Sequence, residues 1–427
     1  MQMIKTPVNG MRDVEPKEME LRQFILSKIR EVYKRFGFTE IETPNIEHIE
    51  NLLSDLGWDN EKLIFKIMKR GDKLTKSAES GNVNDLVDSG LRYDLTVPLC
   101  RFYANNKDKL ISPFKAMQIG NVYRADRPQK GRFRQFLQCD IDILGEATNI
   151  GEIETLLATS TLLKEINFDK YNFSFDINDR RFLRAMNKAA GFKEEEFESV
   201  CIILDKLDKV GFDGVKKEML ENNYSEINID KLLDIFNVCS IKSSKSDTNV
   251  DDTINVIKNL KDKLGDNLEL GVAENLIDII STVTKNIDVK INFNPTLVRG
   301  MGYYTGPIFE IKSDKFSGSV GGGGRYDKMV GKFLGTDVPA LGISIGFERI
   351  IGIYLEDNYS IPSNIKKIAY LIEKDLESSK KSDIIKLALI ERQKGNIVYI
   401  AEAAKNKKFQ RENLEKLGYT EFVDKFD

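Results

Sequence analysis

The spacing of apolar residues changes between helical and strand-like intervals along the chain. Residues 17–36 repeat apolar side chains at helical intervals and end at Gly37, which predicts an N-terminal helix closed by a glycine. The alternating segment 38–44 predicts a strand, and Pro44 places its end at a sheet edge or an interface. From Gly90 to Gly145 the pattern has mostly a period of two, which predicts an antiparallel sheet.

The rest of the chain predicts further domains. Residues 184–285 have helical spacing and many Lys, Glu, Asp and Leu residues, which predicts a helical insertion between a main domain's first part, 1–183, and its second part, 286–355. A polar linker over 356–366 and alternating strand and helix patterns over 367–427 predict a small C-terminal α/β domain. The expected fold class is α+β, with an antiparallel sheet flanked by helices.

Composition narrows the classes of protein that fit. A chain of 427 residues exceeds the size of one hydrophobic core, so two to three domains are expected. With 64 basic and 67 acidic residues, any nucleic-acid contact must come from local basic patches. The N-terminus has no apolar segment of signal-peptide length, and no later segment approaches a membrane span, so a cytoplasmic protein without membrane contact is expected.

Cysteine and histidine usage excludes several kinds of site. Cys100, Cys139, Cys201 and Cys239 lie far apart without zinc or thiol-redox spacing, so they are expected to be small apolar residues. His48 is the only histidine, which excludes a site built from several imidazoles, and its acidic surroundings predict a surface position. No metal site is expected.

The stretch from Arg124 to Asp142 carries the most chemical information. Pro128 and Gly131 mark a loop, and the strand after it turns alternate side chains to one face. That face comprises Arg132, Arg134, Phe136, Gln138, Asp140 and Asp142. The face is cationic at one end, aromatic and amide in the middle and acidic at the far end, which suits a ligand with phosphates, a flat ring and a cationic or hydrogen-bond-donating group, such as ATP beside an amino acid. A solvated face with cross-strand ion pairs is the alternative, although Arg127, Lys130 and Arg132 crowd one loop.

A second predicted strand covers residues 91–99. It would set Arg92, Asp94 and Thr96 on one face, although an ordinary edge strand explains the same alternation.

Two glycine-containing segments follow the predicted insertion. In residues 297–306, three glycines surround Arg299 and two tyrosines, which indicates close approach to a ligand or a hairpin turn with aromatic packing. In residues 340–349, glycine and serine alternate on one strand face, which leaves room for a flat ring that Arg349 can cover.

Together these segments resemble the histidyl-tRNA synthetases along nearly the whole chain. Residues 37–44, 124–138 and 342–349 resemble the three class II aminoacyl-tRNA synthetase motifs, the first of which lies at a homodimer interface in the family. Residues 299–304 resemble the family's histidine-binding signature, and residues 138–142 add to it. The resemblance implies a histidine–tRNA ligase whose partners are L-histidine, ATP and tRNA(His).

The resemblance also implies roles for single residues. For ATP, Arg124 would hold the α-phosphate and Arg132 the terminal phosphates, while Asp126 would contact the adenine between Phe136 and Arg349. The implied histidine-binding residues are Asp94, Thr96, Gln138, Asp142, Arg299, Tyr303 and Tyr304. Among them Asp94 and Gln138 would bind the head group, whereas Asp142 and Tyr304 would read the imidazole.

The implied chemistry does not require a histidine side chain as a general base. The carboxylate of the amino acid is ionised at neutral pH, so adenylate formation requires positioning and charge neutralisation, which the catalytic residues Arg124 and Arg299 would supply with Mg²⁺ carried by ATP. In the second step the tRNA ribose hydroxyl attacks the adenylate, with a phosphate oxygen as proton acceptor.

Two features depart from the family pattern. Gly302 stands where the family usually has an aspartate, and residues 367–427 are fewer than the family's anticodon-binding module commonly has, so anticodon contact is not carried over. Two other hypotheses remain: a catalytically silent paralogue that regulates ATP phosphoribosyltransferase in histidine biosynthesis, and a synthetase for another amino acid. The retained residues Arg124, Arg132, Phe136 and Arg349 argue against the first.

Overall fold

A computed structural model describes residues 3–53, 61–79, 81–129, 131–243, 249–298, 303–362 and 364–424. The chain forms two compact units. The first comprises Met1–Asp13 and Ile25–Glu356, and the second comprises Val14–Phe24 and Asp357–Asp427.

The strands of the described residues are numbered in chain order. They are β1 (Thr39–Ile41), β2 (Ile46–His48), β3 (Lys66–Met68), β4 (Val87–Leu91), β5 (Phe114–Tyr123), β6 (Gln135–Leu144), β7 (Ser174–Asp179), β8 (Lys290–Phe293), β9 (Pro307–Ser313), β10 (Phe316–Arg325), β11 (Ala340–Ile345), β12 (Lys367–Ile372), β13 (Ile397–Glu402) and β14 (Glu421–Val423).

The α-helices are numbered in the same way. They are α1 (Pro16–Arg35), α2 (Ile49–Leu53), α3 (Asp72–Glu79), α4 (Thr96–Asn106), α5 (Ile150–Glu165), α6 (Arg180–Ala190), α7 (Phe197–Leu204), α8 (Leu207–Glu221), α9 (Glu226–Ser243), α10 (Val250–Leu264), α11 (Val272–Asn286), α12 (Lys328–Leu334), α13 (Phe347–Glu356), α14 (Ser378–Gln393) and α15 (Lys407–Lys416).

An eight-stranded sheet forms the centre of the first unit, in the order β1-β5-β6-β11-β10-β9-β7-β8. The inner pairs from β5 to β7 are antiparallel, and the outermost pairs, β1 with β5 and β7 with β8, are parallel. The expected antiparallel sheet is therefore confirmed, with a parallel strand at each edge. Strand β1 is an edge strand, as Pro44 predicted.

Strand β6 lies inside this sheet between β5 and β11. Cys139, Ile141 and Ile143 on one side of it are at most 1% exposed and belong to the core, as the alternation predicted. The side chains of opposite orientation are the polar Gln138, Asp140 and Asp142, and they are buried too. The strand therefore carries buried carboxylates, whose desolvation must be offset by partners or by a ligand.

The predicted strand over residues 91–99 is wrong. Strand β4 ends at Leu91, and helix α4 begins at Thr96. Asp94 Oδ1 accepts a hydrogen bond from the Val97 backbone N–H at 3.1 Å, which satisfies one of the free donors of the first helical turn. Pro98 fits in that first turn because its missing N–H has no helical acceptor there.

The cysteines were expected to be small apolar residues and His48 to lie at the surface. Both expectations are confirmed for the described side chains, which do not include that of Cys239. Cys100, Cys139 and Cys201 are buried and free of disulfides, and His48 is exposed. Helices α6 to α11 cover most of residues 180–286.

The second unit contains a parallel sheet in the order β13-β12-β14. The predicted strands and helices from residue 367 onwards are confirmed, and β14 is an additional short strand that was not predicted. Within the described residues, no helix is both long enough and apolar enough to cross a membrane.

Candidate active site

The strand register places small residues opposite acidic ones at the centre of the main sheet. Gly342 of β11 is paired with Asp142 of β6, and Ser344 is paired with Asp140. A Cβ atom at Gly342 would lie 1.9 Å from Asp142 Oδ1, and one at Gly323 would lie 1.9 Å from the Gly342 carbonyl oxygen. Glycine is required at both positions because no side chain fits between the strands there. The space above them forms two adjacent cavities.

The first cavity has a volume of about 310 Å³. Its walls come from the loop between β5 and β6, from β6 itself, from β10 and from the start of α13. All five residues assigned to ATP by the resemblance line it, namely Arg124, Asp126, Arg132, Phe136 and Arg349. Further lining residues include Phe133, Leu137, Ser319, Gly322, Ser344 and Glu348.

The cationic side chains of this cavity are held by specific contacts. Arg124 donates from Nε to the Tyr93 carbonyl oxygen at 3.1 Å, and its guanidinium lies over the rings of Tyr93 and Phe136 at 4.2 and 5.1 Å. Arg132 donates from Nη2 to Asp126 Oδ1 at 2.8 Å. The Arg124 side chain is therefore held at the cavity by cation–π contacts with two rings.

Arg349 lines the same cavity from the first turn of α13. Its Nη1 donates to the Ser319 carbonyl oxygen, and its guanidinium lies 5.2 Å from the centre of the Phe316 ring. The expected adenine sandwich pairs Phe136 with Arg349, and both side chains line the same cavity. Arg124 covers the Phe136 ring, and Arg349 stacks on Phe316 instead.

The second cavity has a volume of about 130 Å³. It shares Arg124, Gln138, Gly322 and Ser344 with the first, so the two adjoin. The described residues that the resemblance assigned to histidine all line it, namely Asp94, Thr96, Gln138, Asp142, Tyr303 and Tyr304. Arg299 and Lys130 lie outside the described residues, as does Gly302.

Three carboxyl groups are buried around the second cavity, each with at most 4% of its residue surface exposed. Burial raises the pKa of Asp94, against the opposing hydrogen bond from Val97. Burial and the nearby Asp94 raise the pKa of Asp140 to about 7. Burial and the neighbouring Asp140 also raise the pKa of Asp142. Ionisation of all three carboxyl groups is therefore unfavourable without a ligand, and a cationic or hydrogen-bond-donating ligand would reduce that cost.

The hydrogen bonds around these carboxyl groups satisfy some of the buried oxygens and leave others without a partner among the described residues. Tyr326 donates from its hydroxyl to Asp142 Oδ1 at 2.6 Å, and Gln138 Nε2 donates to Asp140 Oδ2 and to Ser344 Oγ, both at 3.2 Å. Among the described residues, Asp94 Oδ2, Gln138 Oε1 and Asp142 Oδ2 are buried without a hydrogen-bonding partner. Buried acceptors without partners are costly, so these three oxygens suit a ligand with several N–H donors.

The two tyrosines after the undescribed segment pack into the wall of this cavity. Their ring centres are 4.7 Å apart, and Tyr303 lies 6.1 Å from the Tyr326 ring. Burial raises the pKa of Tyr303 well above its usual value, so its hydroxyl stays protonated and able to donate.

Several lining residues were not assigned a role from the sequence. Asp140 shares the alternating face of Gln138 and Asp142, and that alternation could have identified it. Tyr326 follows the glycine run, but only the tertiary fold brings it to Asp142. Arg92, expected beside Asp94, instead donates to the Thr43 and Asn121 carbonyl oxygens and lines neither cavity, because residues 92–95 do not continue the strand.

A family model, sequence relatives and solved structures all relate this chain to the histidyl-tRNA synthetases. A family model described as histidyl-tRNA synthetase matches residues 10–350. A histidine–tRNA ligase of Leifsonia xyli subsp. xyli is 44% identical over 352 residues, which cover 82% of this chain and 80% of the relative. A probable histidine–tRNA ligase of Tropheryma whipplei is 39% identical, over 98% of this chain and 95% of the relative.

Solved structures share the fold. The crystal structure of histidyl-tRNA synthetase from Nostoc sp. PCC 7120 matches with a TM-score of 0.78 and 26% identity, covering 98% of this chain and 90% of that one. A Bacillus halodurans structure, described as an ATP phosphoribosyltransferase regulatory subunit/histidyl-tRNA synthetase, matches with a TM-score of 0.75 at 18% identity, over 99% of both chains, and shows likeness of fold alone.

Proposed function

Because the chain belongs to the histidyl-tRNA synthetase family, we propose that it is a histidine–tRNA ligase, which forms histidyl-adenylate from L-histidine and ATP and transfers the amino acid to the 3′ end of tRNA(His). One observation carries this proposal at the level of the site. A cavity with three buried acceptors that have no hydrogen-bonding partner among the described residues adjoins a cavity lined by arginines, and Arg124 lines both.

Histidine fits the acceptors of the second cavity by its own donors. Its ammonium group would reach Asp94 and Gln138, and Asp142 would accept the imidazole N–H. The hydroxyl of Tyr304 would donate to the other ring nitrogen, and Thr96 and Tyr303 would close the wall. These roles rest on the positions of the side chains around one cavity of about 130 Å³.

ATP fits the first cavity. Arg132 would hold the terminal phosphates, Asp126 would contact the adenine, and Phe136 and Arg349 would cover its two faces after Arg124 turns to the α-phosphate. The carboxylates of this cavity that the structure describes, Asp126 and Glu348, are each paired with an arginine. Mg²⁺ would therefore arrive bound to the ATP phosphates, whose charge it neutralises.

The proposed reaction needs no side chain as a base. An oxygen of the histidine carboxylate attacks the α-phosphorus, the bond to pyrophosphate breaks, and Arg124 and Arg299 neutralise the charge on the α-phosphate. In the second step the tRNA ribose hydroxyl attacks the carbonyl carbon of the adenylate. AMP then leaves, and a phosphate oxygen takes the hydroxyl proton.

The proposal extends to the assembly. Catalysis would belong to residues 1–183 and 286–355, and residues 37–44 would lie at the interface of a homodimer, as the first class II motif does in the family. The edge position of β1 in the main sheet supports this, because an edge strand can meet a second copy. The regulatory-paralogue hypothesis is not favoured, since the relatives that cover most of the chain are named as ligases.

Charging of purified tRNA(His) by the full chain tests the proposal. We expect histidine attachment that depends on ATP, and loss of histidine-dependent pyrophosphate exchange in Arg299→Ala. A folded protein that copurifies with a phosphoribosyltransferase and charges no tRNA would support the regulatory paralogue instead.

A further inference from the structure

Arg12, near the N-terminus, forms a hydrogen bond with a residue of the ATP cavity that lies 336 positions later in the sequence. Arg12 donates from Nη2 to Glu348 Oε2 at 3.1 Å, and its guanidinium lies 4.7 Å from the centre of the Phe133 ring. The Glu348 side chain is 9% exposed, and its other oxygen accepts the Leu137 backbone N–H at 3.3 Å. Glu348, Phe133 and Leu137 all line the first cavity, whereas Arg12 does not.

The backbone beside Arg12 is fixed to the same loop. The Gly10 carbonyl oxygen accepts the Arg134 backbone N–H at 2.8 Å, and the Asn9 carbonyl oxygen accepts from Arg134 Nη1 at 3.3 Å. Gly10 has a φ of +84°, and a Cβ there would lie 2.6 Å from Arg134 Cδ. The segment 9–12 therefore lies against the loop between β5 and β6 at a defined place.

These contacts join two walls of the ATP cavity that come from distant parts of the sequence. The loop and the start of β6 supply Phe133, Phe136 and Leu137, and α13 supplies Glu348 and Arg349. Arg12 contacts both walls, and Glu348 connects them a second time through Leu137. The Arg12 side chain is 31% exposed, but its acceptor is a largely buried carboxylate, and hydrogen bonds between charged groups are stronger than neutral ones, so this link can help to hold the spacing of the walls.

We propose that Arg12 is a positioning residue for ATP binding, which sets the distance between the Phe136 side and the Arg349 side of the cavity. Arg12 takes no part in the chemistry. The inference rests on the proposed function for the identity of the nucleotide, and it predicts an effect on ATP rather than on histidine, because the histidine cavity is not lined by Arg12, Glu348 or Phe133.

The experiment compares Arg12→Ala, Arg12→Lys and a matched control. Arg101→Ala removes an arginine of 25% side-chain exposure from Glu47, which is 2% exposed, and neither residue lines either cavity. Pyrophosphate exchange is measured with ATP and with histidine varied in turn. For Arg12→Ala we expect the KM for ATP to rise about tenfold, the scale of one charged hydrogen bond, with little change in the KM for histidine. Arg12→Lys restores part of the loss because it keeps the charge.

A double-mutant cycle completes the test. The double variant Arg12→Ala/Glu348→Gln is expected to raise the KM for ATP by less than the product of the two single-variant rises. The reason is that each single variant already removes the same interaction. An unchanged KM for ATP in folded Arg12→Ala, equal rises for ATP and histidine, or the same shift in Arg101→Ala would overturn the inference.

Equilibrium binding of ATP, measured by calorimetry without histidine, separates this inference from the proposed function. If the unaltered chain binds ATP but gives no exchange with histidine, the proposed function fails, and weaker ATP binding by Arg12→Ala still supports the positioning role. Equal ATP affinity in both proteins refutes that role.

Discussion

The hydroxyl of Tyr326 donates a 2.6 Å hydrogen bond to Asp142 Oδ1, while Asp142 Oδ2 has no hydrogen-bonding partner among the described residues. One oxygen of a buried carboxyl group is thus fixed by the protein, and the other remains for a ligand. The contact also sets the direction of the open oxygen, because the carboxyl group cannot rotate without breaking the bond to Tyr326.

Tyr326→Phe is expected to raise the KM for histidine about tenfold, because loss of the hydrogen bond leaves the buried carboxyl group of Asp142 free to rotate. Pyrophosphate exchange measures it, and the KM for ATP should stay unchanged. Tyr354→Phe is a matched control: Tyr354 is also buried and donates at 2.5 Å to a carbonyl oxygen, of Ile166, and it lines neither cavity. Equal effects of both variants on the histidine KM would refute the assigned role.

Gly342→Ala is expected to block the histidine cavity. Its Cβ would lie 1.9 Å from Asp142 Oδ1, so the carboxyl group or the strand must move. Overpacking of this kind should raise the KM for histidine about ten- to a hundredfold. Gly352→Ala is the control, since a Cβ at Gly352 in α13 meets nothing within 4 Å. Wild-type histidine kinetics in folded Gly342→Ala would show that histidine does not bind against Asp142.

Arg349→Ala is expected to weaken ATP binding without affecting histidine. The guanidinium lines the first cavity and is absent from the second, and a cation over the adenine ring contributes about 1 kcal/mol or more. We expect the KM for ATP to rise about fivefold or more in pyrophosphate exchange. A selective change in the histidine KM would contradict the assignment of the two cavities.

Asp140→Asn is expected to change how stability depends on pH. The pKa of Asp140 is about 7 in the folded protein and near 3.9 when unfolded. Between about pH 4 and pH 7 the Asp140 carboxyl group keeps its proton in the folded state but has lost it in the unfolded state. The free energy of unfolding therefore falls as the pH rises from about 4 to about 7. Asparagine does not ionise, so the Asp140→Asn variant does not lose this part of its free energy of unfolding.

Thermal unfolding at pH 5 and pH 8 checks this prediction. The variant's advantage in the free energy of unfolding should grow with pH, by about 2 to 4 kcal/mol at most. An advantage that is larger at pH 5 than at pH 8 would mean that Asp140 is ionised in the folded protein at low pH, contrary to its burial.

The sequence predicted those parts of the site that depend on local alternation. Asp142 and Gln138 lie on one strand, so a period of two was enough to place them on one face, and Asp140 follows from the same rule. The edge position of β1 and the helix before it were also readable from local residues, including Gly37 and Pro44.

Other parts depend on competition between local preferences and on tertiary contacts. The alternation of residues 91–99 predicted a strand, but the hydrogen bond from the Val97 N–H to Asp94 Oδ1 and the tolerance of the first turn for Pro98 favour a helix from Thr96 onwards. No local pattern brings Arg12 to Glu348 or Tyr326 to Asp142, since these pairs are separated by 336 and 184 positions.

Pyrophosphate exchange with each of the twenty amino acids tests the central claim most directly. The site is expected to support exchange with histidine far above any other amino acid, because the ammonium group and the imidazole N–H of histidine match the oxygens of Asp94, Gln138 and Asp142 that have no partner among the described residues. Exchange with another amino acid at an equal or higher rate, or no exchange with histidine by the folded chain, would contradict the account.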